Sequence, residues 1–108
     1  MAQKEIIEAV RFLKKNLQDK GIHIIQMILV GSQARGTARE DSDIDVVIVS
    51  VDFRGKDIFE RTQSTKDAEI LAIRKYMIPF DILTLTPEEI ESGNPILEGC
   101  PKDEMIFV

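Results

Sequence analysis

Two aspartates at alternate positions open an apolar run at residues 43–51, DIDVVIVSV. The β-branched residues predict a strand, and side chains on a strand alternate between its two faces. Asp43 and Asp45 should therefore point to one side, while Ile44 and Val46 point into the opposite layer. Two carboxylates side by side repel each other at neutral pH. The pattern thus predicts a raised pKa, a basic partner or a bound divalent cation.

The cation is the favoured partner, because hard oxygen ligands without neighbouring histidine or thiol suit magnesium or manganese. A third carboxylate, Asp81, interrupts the otherwise apolar run at residues 78–86 and would be costly in a core. We expect Asp81 to face the same polar site as Asp43 and Asp45. Three carboxylates can hold two metal ions, which stabilise the attacking and leaving oxygens of an in-line displacement at phosphorus.

The stretch GSQARG, which begins at Gly31, predicts a phosphate-binding turn between an apolar run and these aspartates. Gly31 lets the backbone approach a phosphate closely, the Ser32 hydroxyl can donate, and a short helix from Gln33 would offer free N–H groups. Arg35 can add a positive charge against a triphosphate. The glycine spacing also matches a Walker A loop, but Thr37 stands where the lysine is required, which excludes that motif.

These residues resemble a known family. Gly31-Ser32, Ala34-Arg35-Gly36 and Ser42-Asp43-x-Asp45 are similar to the GSxARG…SDxD signature of the minimal nucleotidyltransferases, small members of the DNA polymerase beta-like nucleotidyltransferase superfamily. The dense match covers residues 31–47, and the order of elements agrees along the chain. The resemblance implies the polymerase beta-like fold. It also implies that Gly31 and Ser32 bind the triphosphate, and that the metals are held by Asp43, Asp45 and Asp81.

The resemblance also implies a reaction. In that family a nucleoside monophosphate passes from an NTP to an acceptor hydroxyl, and pyrophosphate is released. For this chain it implies AMP transfer from ATP with two magnesium ions. Several small members resemble antitoxins that inactivate HEPN-type ribonuclease toxins by adenylylation, so a separate protein is the expected acceptor. Two alternatives stay open: a non-catalytic antitoxin that neutralises a toxin by occlusion, and an adenylyltransferase acting on a small molecule or antibiotic.

The rest of the pattern predicts an α/β (α+β) fold with a small mixed sheet of three to four strands flanked by helices, in one domain over the 108 residues. Residues 52–66 carry few apolar side chains and give no clear assignment. The predicted bounds are an amphipathic helix over 6–17 that ends near Gly21, strands over 22–30, 43–51 and 78–86, a helix over about 68–77, a short helix from Pro87 to about Gly93, and a last strand within 105–108.

The charge and composition argue against several classes of protein. A formal net charge of −5 argues against a broad electrostatic grip on DNA or RNA. The N-terminus lacks the pattern of a secretory signal, and the longest apolar run is far too short to span a bilayer. We therefore expect a cytoplasmic protein with no membrane association and no extended nucleic-acid binding.

Simpler interpretations exist for each candidate. Asp43 and Asp45 could belong to a solvated edge strand whose charges discourage aggregation, and Asp81 could be a strand-end carboxylate bound by a backbone N–H. Arg35 could form a surface ion pair with Glu40 or Asp41, and such exposed pairs contribute little stability. The combination of the turn with three carboxylates favours the metal site.

Other residues receive no firm role. Asp41 is in phase with the aspartate pair and could be a fourth ligand, but we expect it in the loop before the strand. His23 and Cys100 lack the partners that metal binding or thiol chemistry requires, and we expect Cys100 to be a loop or packing residue. The sequence does not indicate which of the dispersed basic residues contacts a nucleotide. These residues are Lys56, Arg61, Lys66, Arg74 and Lys75.

Overall fold

The computed structural model describes residues 3–38 and 42–108, except for the side chains at 95, 96 and 103. Within these residues the strands are β1 (Gln26–Val30), β2 (Ile44–Val49), β3 (Phe80–Leu85) and β4 (Ile106–Phe107). They form a single sheet in the order β3-β2-β1-β4. β2 and β3 run parallel, whereas β1 is antiparallel to both of its neighbours. The predicted mixed sheet is confirmed, with four strands.

Helices follow or connect the strands. None of those in the described part of the chain is long and apolar enough to span a membrane. The helices are α1 (Lys4–Asp19), α2 (Gly31–Arg35), α3 (Ile58–Tyr76), α4 (Pro87–Glu91) and α5 (Pro95–Glu98), with short 3-10 turns at Val51–Phe53 and Lys102–Glu104.

The larger core lies on the face of the sheet that α1 and α3 cover. The side chains of α1 that recur at three- and four-residue steps are buried there, as the sequence predicts. α3 contributes the fully buried Ala68 and Ala72, whose small side chains let it pack closely against α1. From β1 and β2 this core receives Leu29 and Val46.

The opposite face of the sheet carries a smaller apolar cluster that includes Val47 and Leu85. Side chains from α4, α5 and the segment before β4 cover part of it. Side chains two residues apart on a strand share a face. Asp45, two residues before Val47, and Asp81, two residues before the half-buried Leu83, therefore belong to this second face.

The predicted first strand, over 22–30, is too long, because β1 begins at Gln26. The residues before it satisfy their backbone groups in another way. The amide of His23 donates to Oδ2 of Asp52 at 2.7 Å, and the amide of Ile22 donates to the carbonyl of Leu17 at 3.1 Å. The predicted strand over 43–51 is also shortened, to Ile44–Val49, because a 3-10 turn follows it.

α3 begins at Ile58, about ten residues before the predicted start. Its first turn is fixed by a capping box, in which the Asp57 carboxylate accepts from the Glu60 amide at 2.9 Å and the Glu60 carboxylate accepts from the Asp57 amide at 3.1 Å. The apolar residues of this turn face solvent, with Ile58 64% and Phe59 78% exposed. The buried stripe that would reveal the helix is therefore missing from its start.

The C-terminal part of the chain follows the prediction with one addition. The Thr86 capping box and the proline at the first helical position give α4, as predicted. α5 has no counterpart in the prediction. The predicted last strand is confirmed as β4, which pairs with β1.

Candidate active site

Asp45 and Asp81 are direct neighbours across two parallel strands. The register of β2 and β3 pairs Asp45 with Asp81, one position after Ile44 with Phe80. On its other side Asp45 pairs with Val30, the last residue of β1. The two carboxylates thus lie at the end of the sheet where β1 stops and the turn into α2 begins.

The turn at Gly31 lies against the Asp45 carboxylate. Gly31 has a φ of +76°, in the left-handed region that favours glycine. A Cβ atom on Gly31 would stand 2.5 Å from Oδ2 of Asp45, closer than a real Cβ contact allows. Glycine is therefore required here both for the backbone conformation and for the space it leaves beside the carboxylate.

Asp43 completes a group of three negative charges. It is exposed, in the residue just before β2. Burial raises the pKa of the Asp45 carboxyl, and the charges of Asp81 and then Asp43 raise it further, whereas the charge of Arg35 lowers it. The three predicted carboxylates therefore lie close enough for their charges to interact.

These residues open onto a cleft of about 410 Å³. One wall is built from the end of β1, the turn into α2 and the starts of β2 and β3. The other wall is the C-terminal segment, through Gly99, Cys100 and Glu104. Arg35 reaches across, with its Nη1 4.0 Å from Oε2 of Glu104. The cleft thus has an acidic floor and a cation on one wall.

Ser32 and Arg35 occupy different positions on α2. The Ser32 carbonyl accepts the amide of Thr37 at 3.0 Å, which closes the short helix. Its side chain is half-buried, while Arg35 is exposed and lines the cleft. Gly31, Arg35, Asp45 and Asp81 therefore meet in one cleft, and Ser32 and Asp43 adjoin it in sequence.

The donor set fits a hard divalent cation. Carboxylate oxygens are the ligands that magnesium prefers, and a cation between Asp45 and Asp81 would relieve the repulsion that raises the pKa of Asp45. Within residues 3–38 and 42–108, no three His, Cys, Asp or Glu side chains are already arranged as a metal site. Asp45 and Asp81 are thus neighbours on paired strands, without a third such side chain arranged with them as a ready-made group among the described residues.

Another carboxylate, Glu69 of α3, interacts with Asp81, although it is not among the residues that line the cleft. Partial burial raises the pKa of the Glu69 carboxyl, and the charge of Asp81 adds to the rise. Glu69 comes near Asp81 because α3 packs beside β3. No motif in the sequence marks this glutamate, since it stands in an ordinary polar helix position.

Several residues without an assigned role prove to be structural. Arg61 donates to the carbonyls of Lys56 at 2.9 Å and Thr84 at 3.2 Å, and to Oε1 of Glu89 at 2.7 Å. His23 and Asp52 tether the segment before β1 to the end of β2. Arg61 and His23 therefore act in the fold, away from the cleft.

Two sequence-based hypotheses fall on residues outside the described ranges. These are Asp41 as a fourth ligand, and an ion pair of Arg35 with Glu40 or Asp41. Cys100 was expected to be a loop or packing residue. It is half-buried, packs against the second apolar cluster, and also lines the cleft.

Residues 4–104 match the model of the nucleotidyltransferase domain family. The chain belongs to this family. The resemblance to the minimal nucleotidyltransferases is thereby confirmed, as is the fold it implies.

Known proteins agree with this assignment. The chain is 33% identical over 90 residues to a protein of Methanocaldococcus jannaschii named "putative protein adenylyltransferase". The match covers 82% of this chain and 60% of that protein, so this nucleotidyltransferase spans well under two thirds of the relative's length.

Two solved structures share the fold. A "putative nucleotidyltransferase" from Sulfolobus solfataricus superimposes with a TM-score of 0.53 at 21% identity, over 97% of this chain and 86% of that one. A toxin–antitoxin structure with AMP-PNP gives a TM-score of 0.57 at 19% identity, over 88% of this chain and 64% of that one.

Proposed function

We propose that this nucleotidyltransferase transfers AMP from ATP to a hydroxyl group of another protein. The observation that carries the proposal is the pairing of Asp45 with Asp81 directly beside the turn at Gly31. This arrangement puts a place for a phosphate chain next to a place for divalent cations. Phosphoryl and nucleotidyl transfer depend mainly on positioning and on stabilising charge, and both requirements are met by such a site.

Each residue has a definite task in this proposal. Asp43, Asp45 and Asp81 would hold two magnesium ions, which when bound would neutralise charge on the triphosphate and on the attacking and leaving oxygens. The backbone at Gly31, with Ser32, binds the triphosphate. Arg35 pairs with the β- and γ-phosphates, which leave as pyrophosphate.

The reaction is an in-line substitution at the α-phosphorus. The acceptor oxygen forms a bond to this atom as the bond to the oxygen bridging to the β-phosphate breaks. Pyrophosphate leaves on the side of Gly31 and Arg35. The acceptor proton passes to a carboxylate oxygen of Asp81, which β3 holds at the floor of the cleft.

A protein acceptor is favoured by the relatives. The archaeal relative carries a protein adenylyltransferase name, and one structure with the same fold is a toxin–antitoxin with AMP-PNP. The HEPN type of acceptor comes from the resemblance to the minimal nucleotidyltransferases alone, and on that ground we propose a HEPN-type toxin as the acceptor, with this chain as its antitoxin. A separate protein would supply the acceptor hydroxyl at the open side of the cleft.

The test uses ATP labelled at the α-phosphate, magnesium and the protein encoded by the neighbouring gene. The double variant Asp43→Asn with Asp45→Asn removes two charges and should abolish labelling. The matched control is Asp67→Asn, because Asp67 is an exposed carboxylate whose Oδ2 lies 3.0 Å from Nζ of Lys20, on the surface of the helices. We expect the control to label the acceptor at the native rate.

Each result has a clear meaning. Label on the acceptor with the native chain and the control, but not with the double variant, supports the proposal. Tight binding of the two proteins without label from any variant would instead indicate neutralisation by occlusion. Unchanged labelling by the double variant would overturn the assigned roles of Asp43 and Asp45.

A further inference from the structure

Gln33 is a buried polar residue in the middle of the turn that joins β1 to the aspartates. It belongs to α2, and only 8% of its surface is exposed. A buried side-chain amide is costly unless it forms hydrogen bonds. Its Nε2 donates to the backbone carbonyl of Ser42 at 3.1 Å. Gln33 thus ties α2 to the residue that immediately precedes Asp43.

This bond closes the loop between α2 and β2. On one side of Asp43 the Ser42 carbonyl is held by Gln33. On the other side the amide of Ile44 donates to the carbonyl of Pro79 at 2.9 Å, which starts the contact between β2 and the β3 region. The Asp43 backbone therefore sits between two fixed points, and its exposed side chain takes its direction from them.

The same bond links the two halves of the site. α2 carries Arg35 on the wall of the cleft, and its first residue, Gly31, lies against Asp45. Through Gln33 the helix that should bind phosphate also fixes the approach of Asp43. A displacement of either part would change the distance between the phosphate turn and the first carboxylate.

We propose that Gln33 is a positioning residue, which sets the placement of Asp43 for metal binding by holding the Ser42 carbonyl. This inference rests on the proposed function, since it assumes that Asp43 is a metal ligand. Gln33 itself is not among the residues that line the cleft. Loss of outer partners of metal ligands typically lowers metal affinity by about 10- to 100-fold.

The test variant is Gln33→Met, which keeps the length of the side chain and removes the donor. A shorter residue is avoided because Gln33 borders a second cavity, of about 380 Å³, which truncation would enlarge. If Gln33→Met does not fold, Gln33→Glu takes its place, since it has the same size and presents an acceptor to the Ser42 carbonyl.

The matched control is Ser50→Ala. Ser50 is fully buried, and its Oγ accepts the amide of Asp52 at 3.0 Å just after the far end of β2. It therefore also holds backbone next to a strand end, but at the end away from the carboxylates. Both variants should lose some thermal stability.

The readout is Mn²⁺ affinity measured by electron paramagnetic resonance, without ATP, well below the unfolding temperature. We expect about 10- to 100-fold weaker binding by Gln33→Met and native affinity for Ser50→Ala. In the transfer assay, the defect of Gln33→Met should shrink as the Mn²⁺ concentration is raised.

The inference and the proposed function fail in different ways. Native Mn²⁺ affinity in both Gln33 variants, with Mn²⁺ bound by the native chain, would overturn the positioning role and leave the proposed function standing. Absence of Mn²⁺ binding and of transfer by the native chain would overturn the proposed function, and the positioning role with it.

Discussion

Gly31 and Asp45 are in such close contact that a methyl group on Gly31 would lie 2.5 Å from Oδ2 of Asp45. The last residue of β1 pairs with Asp45, so the chain turns into α2 directly over this carboxylate. The glycine leaves the backbone of the turn and the carboxylate facing each other with no side chain between them. Any phosphate bound at the turn would therefore be adjacent to a metal held by Asp45.

Gly31→Ala should disrupt the site through two effects. The first is strain, since alanine at a φ of +76° costs about 1–2 kcal/mol. The second is the collision with Oδ2 of Asp45, whose carboxylate must turn away from the new methyl group. We expect the displacement of Asp45 to weaken Mn²⁺ binding and to abolish nucleotide transfer. Urea unfolding measures the loss of stability, and Mn²⁺ titration measures the loss of metal affinity.

Gly55→Ala separates the strain from the collision. Gly55 has a φ of +71°, and a Cβ atom there would meet no atom within 4 Å. This control should lose stability through strain alone and keep native Mn²⁺ affinity. Equal Mn²⁺ affinity in Gly31→Ala and Gly55→Ala would show that the contact between Gly31 and Asp45 has no bearing on the site.

The pKa of Asp45 predicts how stability depends on pH when divalent cations are removed. Burial and the charges of Asp81 and Asp43 raise this pKa, so the folded state binds more protons at this carboxyl than the unfolded state. The Asp45 carboxyl therefore contributes to the free energy of unfolding at low pH. This contribution is lost as the pH rises from the ordinary carboxyl range through the raised pKa of Asp45. Asp45→Asn, which cannot ionise, should not show this fall.

We therefore expect Asp45→Asn to unfold at a higher urea concentration than the native chain at pH 7 in EDTA. The difference between the two proteins should close as the pH is lowered. Added Mg²⁺ should stabilise the native chain more than the variant, because the cation relieves the repulsion. Asp67→Asn serves as the control for removing a carboxylate elsewhere. A native chain no less stable than Asp45→Asn in EDTA at pH 7 would contradict the prediction.

The sequence was informative where short patterns carry the structure. The alternation of Asp43 and Asp45 predicted their shared face, and the isolated Asp81 predicted a third carboxylate nearby. The register that pairs Asp81 with Asp45 depends on two strands separated by a helix, so no local pattern contains it. It follows from the parallel contact of β2 with β3, which is a tertiary property.

Some features of the site and of the fold around it leave no local pattern in the sequence, for physical reasons. No sequence pattern distinguishes Gln33 from an exposed glutamine. Its burial and its bond to Ser42, nine residues away, depend on the tertiary fold. Glu69 approaches Asp81 only because α3 lies beside β3. The start of α3 was missed because its first apolar residues face solvent, although the spacing of Asp57 and Glu60 marks a capping box.

Arg61 should contribute far more stability than a similar arginine nearby. Its side chain is only 13% exposed, and it bonds two backbone carbonyls as well as Glu89. Arg61→Met leaves the Thr84 carbonyl, on β3, without this donor, and we expect a loss of about 2 kcal/mol in the free energy of unfolding.

Arg54 provides the matched control for Arg61. It also pairs with a glutamate, with its Nη2 2.6 Å from Oε2 of Glu88, but its side chain is 54% exposed. Water and salt screen such a pair, so Arg54→Met should change the unfolding midpoint little. Urea unfolding of both variants at equal ionic strength makes the comparison. Equal losses would mean that burial and the carbonyl bonds of Arg61 add nothing.

Met77 offers a stabilising substitution at the end of α3. It is the residue after the helix, and its φ of 58° lies in the left-handed region. Its amide donates to the carbonyl of Ile73 at 2.7 Å, so the conformation is part of the helix end. The side chain is 81% exposed and contributes little packing. Glycine adopts this conformation without steric cost, whereas methionine does not.

Met77→Gly should therefore raise the free energy of unfolding by about 1 kcal/mol, because relief of the left-handed strain exceeds the entropy cost of glycine. For a chain of this size the melting temperature should rise by about 4 °C. Met77→Ala removes the same side chain but keeps the strain, so we expect no gain from it. Equal stability of the glycine and alanine variants in thermal unfolding would show that the backbone at position 77 is not strained.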